Sequence, residues 1–325
     1  MLKREVHDLG GGRVWRRAMS FRHEALFYAG PDDFVRGAAS FLRAGVAAEE
    51  PALVVVDAAK IDLLREELDG TAEHVYFADM VEVGTNPARI IPAWREFVSR
   101  HAPSGRRLRG IGEPVWPERS AAELAECERH ESLLNLAFAG GPSWWLLCPY
   151  DTEALEPAVV EEARRTHPFV LEDGAGRASA AYYGVDAIAA PFAEPLPEPQ
   201  GSTAELAFEA GPLDALRAFV AHHAAEAGLA ATRATDLVLA VHELATNSLR
   251  HGGGRGTLRI WREPEALICE VRDGGRIDEP LVGRERPGNR RTDGRGLWLA
   301  NQLCDLVQIR CFPTGSVVRL HMRIP

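Results

Sequence analysis

Along the front of the chain, short apolar runs alternate with stretches of helical spacing. Ala25–Tyr28, Leu53–Val56, Val75–Ala78, Leu108–Ile111 and Trp144–Cys148 are the runs, and Phe34–Gly45 and Leu124–Phe138 are the clearest helical stretches. This alternation predicts an α/β domain, a mostly parallel sheet covered by helices. In such sheets ligands sit beyond the carboxyl ends of the strands. The segments to inspect are therefore Gly30-Pro31-Asp32-Asp33 after the first run, Gly112-Glu113-Pro114-Val115-Trp116 after the fourth, and Pro149-Tyr150-Asp151 after the fifth.

The pattern changes towards the back. From Leu213 to Leu229 and from Thr235 to Arg250 apolar residues recur three and four apart, predicting two amphipathic helices. A strand-like run follows, ending Glu270-Val271-Arg272. Then come the loop Asp273-Gly274-Gly275, a helix opening at Gly294 and running through Leu303, and a final strand after Ser316. Between the two patterns the segment APFAEPLPEPQGS carries four prolines, which neither continue a helix nor pair centrally in a sheet. The expected organisation is a mobile extension over 1–20, a first domain over 21–188, a semi-rigid linker over 189–203 and a second domain over 204–325.

Composition narrows the classes. A chain of 325 residues with 46% hydrophobic content suits two globular cores. Its net charge of −10 lies in the front half, and neither half shows a basic stripe with interleaved aromatics, so direct nucleic-acid binding is not expected. No apolar run approaches the roughly 18 residues of a membrane span, and the start is not a signal peptide, which points to the cytoplasm. Five cysteines without a C-x-x-C pair argue against a disulfide framework and a structural zinc site, and for buried reduced thiols.

In the front half, Asp32 and Asp33 stand where a phosphate loop would need Gly-Lys-Ser/Thr, so phosphate would be repelled. The segment from Phe21 to Leu68 resembles the opening of RecA/KaiC-like ATPases with the Walker lysine lost, a degenerate version of that fold. More closely, His23-Glu24-Ala25-Leu26-Phe27-Tyr28, Gly112-Glu113 with Trp116, Glu131 with Asn135, and Cys148-Pro149-Tyr150-Asp151 resemble the MEDS sensory domain. That resemblance implies small-molecule sensing in a bacterial regulator. His23, Glu113, Trp116, Tyr150, Asp151 and His167 are the candidate pocket residues. The plain alternative is structural: Glu113 capping a helix, Trp116 in the core, His167 ending a helix before Pro168. His23, Glu113 and His167 are metal-ligating types but lack a local ligand spacing.

In the back half, Glu243, Asn247 and His251 are four apart and fall on one helical face. Glu243-Leu244-Ala245-Thr246-Asn247, Asp273-Gly274-Gly275 and Gly294-Arg295-Gly296-Leu297 occur in an order that resembles the Bergerat ATP fold of the GHKL superfamily, an α+β sandwich. Within it the likeness is to anti-sigma-factor serine kinases, and the pairing of domains resembles the RsbA-family anti-sigma regulators. The resemblance implies ATP and Mg²⁺ as cofactors. It assigns Asn247 to Mg²⁺, Glu243 to general-base catalysis, Asp273 to the adenine amino group, and Gly275 to close approach of the base. Gly294, Gly296 and Leu297 go with the phosphates at a helix N-terminus, His251 with the cofactor-facing side of its helix, and Ser316 stands beside the adenine. Arg276 to Asp293 would be the lid. Arg276 and Ile277 replace a glycine common in the family, and the lid is short, which puts ATP affinity and turnover in question.

The functional expectation is a sensory regulator of transcription. Its ATP-binding domain would act as an anti-sigma factor, as a serine/threonine kinase of an anti-sigma antagonist of the STAS type, or as both. Partners would be that antagonist or a sigma factor, with a small molecule at the front domain; a homodimer is compatible with all of this. Two rivals stand: a non-catalytic module that sequesters its partner, and a histidine-kinase-like protein using a phosphoacceptor domain in trans.

Overall fold

The computed structural model describes residues 21–172, 174–184, 194–288 and 294–324. The extension over 1–20, the linker's first residues (189–193) and the end of the lid (289–293) lie outside the described residues.

The front region forms a seven-stranded sheet. Its strands are β1 (Phe21–Tyr28), β2 (Ala52–Val56), β3 (Val75–Asp79), β4 (Leu108–Gly112), β5 (Trp144–Asp151), β6 (Phe169–Glu172) and β7 (Ala175–Ala178), in the order β3-β2-β4-β5-β1-β6-β7. The pairings β1–β5, β1–β6, β2–β4 and β4–β5 are parallel, and β7 closes the edge as an antiparallel hairpin with β6. The helices are α1 (Gly30–Ala47), α2 (Ala58–Leu68), α3 (Met80–Gly84), α4 (Ile90–His101), α5 (Ala121–Ala137) and α6 (Pro157–Thr166). α1 buries Phe34, Ala38, Phe41 and Leu42 against a core that includes Val54, Val56, Ile111 and Leu147.

Two expectations about element ends are corrected. Gly30-Pro31-Asp32-Asp33 is the first turn of α1, not a loop: proline is preset for that turn, and Asp33 Oδ2 accepts the Ala29 backbone N–H at 3.1 Å. Pro149-Tyr150-Asp151 belongs to β5 itself. β4 pairs with β5 only as far as Leu147, whereas β1 follows it to Asp151, so the missing proline N–H forfeits no bond on the β4 side.

The back region is a five-stranded antiparallel sheet, β8 (Ala204–Glu209), β9 (Arg255–Arg262), β10 (Ala266–Asp273), β11 (Leu306–Phe312) and β12 (Gly315–Arg323), ordered β11-β12-β10-β9-β8. Three helices join it, α7 (Asp214–Glu226), α8 (Ala231–His251) and α9 (Arg295–Leu303). Their buried faces, with Val220, Leu237, Val241, Leu244 and Ala300, meet Leu258, Cys269, Val271 and Leu320 in one core. Overall the chain is mixed α/β, one mostly parallel sheet and one antiparallel.

By internal packing the chain divides into two units. One holds Met1–Phe77, Phe97–Glu113 and Leu134–Tyr182, and the other Ala78–Glu96, Pro114–Leu133 and Tyr183–Pro325. The second unit thus includes two segments of the front region. Within it Glu126 of α5 is fully buried with Arg129, Arg284 and Arg310 at 3.3, 3.2 and 2.8 Å. The described end of the linker is not a free spacer: Glu198 accepts from Arg272 and Arg259, and Arg319 donates to the Pro197 carbonyl. Those arginine bonds hold the Glu198 carboxyl down at about 2. Burial pushes the thiols of Cys127 and Cys304 up to about 12. Among the described residues no helix is long and apolar enough to cross a membrane.

Candidate functional site

The second unit holds a cavity of about 460 Å³ bounded by α8, the end of β10, the segment 276–288 and the start of α9. Asn247 and His251 line it, one turn apart on α8. Asp273, the last residue of β10, lies opposite Ser316 of β12 in the antiparallel register. Its carboxylate is held from three directions: Ser248 Oγ donates to Oδ2 at 2.5 Å, Ser316 Oγ to Oδ1 at 3.0 Å, and the Gly275 amide to Oδ1 at 2.8 Å. Three bonds of this kind fix the orientation of the carboxylate. Ser248 was not singled out from the sequence. It follows Asn247 directly, so helical geometry turns it towards the sheet while Asn247 faces the cavity.

α9 opens at Gly294, whose φ of +82° is left-handed and whose position carries no side-chain cap. Gly294 itself offers no side chain to cap the amides of the first turn. Gly296 is buried against α8, where a Cβ would stand 2.7 Å from Asn247 Nδ2 and 3.3 Å from Glu243 Oε2. Only glycine lets this helix end approach so closely. Gly275, Gly294, Leu297 and Ser316 line the cavity; Glu243 and Gly296 do not and lie beneath the α9 terminus. The segment 276–288 is anchored at its middle: Asn301 Nδ2 donates to the Gly283 carbonyl at 2.9 Å, and Arg284 reaches Glu126.

The front candidates fall into separate neighbourhoods. Glu113 is buried between Tyr28 Oη and Lys60 Nζ, both donating to it at 2.7 Å. Burial raises its carboxyl to about 7, against the pull of Lys60 and of the tyrosine bond. Lys60 is a second residue missed from the sequence; only the fold brings the first turn of α2 to the end of β4. Trp116 lies under the Arg119 guanidinium, 3.6 Å from its ring centroid. Asp151 accepts from the Glu153 amide and so caps its own turn. His23, His167 and Tyr150 do meet: the two imidazole centroids lie 4.0 Å apart with their planes tilted by 40°, and Tyr150 meets His167 edge-on at 5.6 Å.

Against known families, residues 22–168 match the model of the MEDS domain, the methanogen/methylotroph DcmR sensory domain. Residues 206–322 match the histidine kinase-like ATPase domain. The back region is histidine kinase-like in fold. That similarity implies ATP binding. No curated protein matches the chain. Solved structures that match include the RsbU and RsbW domains of Rv1364c from Mycobacterium tuberculosis, at 18% identity and a TM-score of 0.30, over 38% of this chain and 33% of that one. The chain therefore spans about a third of that relative's length.

Proposed function

We propose that residues 204–325 bind Mg-ATP in the α8–α9 cavity and that the protein is a sensory regulator of the anti-sigma type. The observation that carries the nucleotide reading is Asp273, a carboxylate held by three donors at the wall of a cavity that also meets the glycine-opened N-terminus of α9. Asp273 would accept the adenine amino hydrogen, with Ser316 and Gly275 beside the base. The first-turn amides at Gly294, Gly296 and Leu297 would take the phosphates, where the helix dipole favours negative charge. Asn247 offers an amide oxygen to Mg²⁺, and His251 lies one turn further along the same wall. The cradle fits such a group, because a side chain at Gly296 would fill the space against Asn247. The bound ion would neutralise phosphate charge; the chain's own contribution is to orient the nucleotide and exclude water.

In this reading Glu243 is the general base towards a serine hydroxyl of an anti-sigma antagonist of the STAS type, and the front region modulates that activity in response to a small molecule. The partner, antagonist or sigma factor, rests on the sequence resemblance alone. A second reading, partner sequestration without transfer, is favoured by one observation: the Glu243 carboxylate lies outside the cavity lining. Incubation of the full chain with γ-labelled ATP and candidate antagonists separates the two. If it is a kinase, Glu243→Gln abolishes labelling, a loss of about 10²–10⁴ in rate, while calorimetric ATP affinity stays near the parent value. Asp273→Asn removes binding itself. Absence of any labelling with intact ATP binding leaves the sequestering module, and absence of ATP binding at millimolar concentration defeats both.

A further inference from the structure

Outside the nucleotide cavity, the first unit brings together the very side chains that local spacing could not link. His23 lies on β1, Cys148 beside it on β5, and His167 just after α6; all three are at most 1% exposed. Their ligand atoms lie within 4.8 Å of one another. Cys148 Sγ is 3.3 Å from His23 Nε2. A tetrahedral ion with Zn–S near 2.3 Å and Zn–N near 2.0 Å separates its ligand atoms by roughly 3.3–3.7 Å, so this spacing is that of a ligand pair.

The tautomers suit the same purpose. His23 Nδ1 lies 3.1 Å from Asn135 Oδ1, an oxygen that can only accept, and His167 Nδ1 lies 2.8 Å from the Ala163 carbonyl. Each Nδ1 therefore carries the proton and each Nε2 presents a lone pair, the arrangement in which metal-ligating histidines are oriented by an outer partner. Asn135 is itself fixed, donating from Nδ2 to the Thr166 carbonyl at 2.9 Å.

We propose that His23, Cys148 and His167 form a binding site for a Zn²⁺-class transition-metal dication, with the fourth position left to water or an exogenous ligand. Two imidazoles and a thiolate are borderline-to-soft ligands that match Zn²⁺ and exclude Mg²⁺ and Ca²⁺. Binding displaces the Cys148 thiol proton to solvent, and the thiolate takes its place as ligand. Asn135 is a positioning residue. The site stands apart from the nucleotide reading and survives its failure.

The test is metal uptake by chelator-treated full-length protein. One Zn²⁺ per chain binds with release of about one proton, read by calorimetry in buffers of different ionisation enthalpy. Co²⁺ in its place gives thiolate-to-cobalt charge-transfer absorption. The other His and carboxylate cluster among the described residues, His222, His223 and Glu226, holds no cysteine, so this band in the parent protein assigns the ion to a thiolate site even if variants fold poorly. Cys148→Ser abolishes the band, and Asn135→Ala weakens uptake about 10–100-fold. Asp273→Asn and the His222→Ala/His223→Ala pair leave uptake unchanged. No charge-transfer band in the parent, a band that survives Cys148→Ser, or loss of uptake in the His222/His223 variant overturns the proposal and leaves the trio a structural cluster.

Discussion

Glu113 shows how a single buried carboxylate acquires a pH dependence. Burial favours its neutral form in the fold and raises it to about 7, while Lys60 and Tyr28 favour the charge and only partly compensate. A raised carboxyl contributes stability that is fully present below its unfolded value and is lost as pH rises through the folded one. Urea unfolding between about pH 4.5 and 7.5 therefore gives a stability that declines with pH from this residue, and Glu113→Gln flattens the decline. An unchanged slope would mean that Lys60 keeps the carboxylate ionised throughout. Asp273 is the contrasting case: its three donors fix its orientation at the wall of a cavity. Of its partners, Ser316 and Gly275 were readable as motif residues. Ser248 was not, because a serine in a helix has no signature until the strand it faces is known.

At the scale of elements, α5 does the least expected work. Its Glu126 is surrounded by Arg129, Arg284 and Arg310 in the second unit, and although burial alone would raise its carboxyl, these three guanidinium groups hold it below the ordinary range. Removing one partner of a buried ion network leaves uncompensated charge, at a cost of about 3–5 kcal/mol. Glu126→Ala is therefore expected to destabilise the protein by that amount, measured by denaturant unfolding. It should also raise hydrogen exchange in 276–288, because Arg284 loses its partner; exchange confined to other segments would separate the lid from this network. The helical period of α5 was visible in the sequence, but not which strand or loop its acidic face would meet. β5 teaches the same lesson at a strand end: Pro149 reads as a terminator, and only the early departure of β4 makes it acceptable in the sheet.

For the whole molecule, the two sheets make opposite offers to a nucleotide. At α1, Asp33 already accepts a backbone N–H before the first turn, and Asp32 adds a second acidic group; at α9 the N-cap residue is Gly294, which brings no side chain to its amides. Titration of the full chain should saturate at one ATP, and Asp273→Asn should remove that one equivalent entirely. Two equivalents, or one that persists in the variant, would place nucleotide at the first sheet.

What the sequence determined by itself was local in origin. Strand and helix alternation follows from apolar period, and the α8 face from residues four apart. The glycines of the α9 start follow from neighbours along the chain. The tertiary structure decided what depends on distance through space rather than along the chain. It joined Lys60 to Glu113, set Ser248 against Asp273, ringed Glu126 with arginines, and brought His23, Cys148 and His167 into one buried cluster. Apart from Arg129, three residues from Glu126 on the same helix, these partners are separated by tens to more than a hundred residues. No periodicity or motif encodes such a pairing; His23 and Cys148, for example, meet only because β1 and β5 lie side by side in parallel, two residues apart in register.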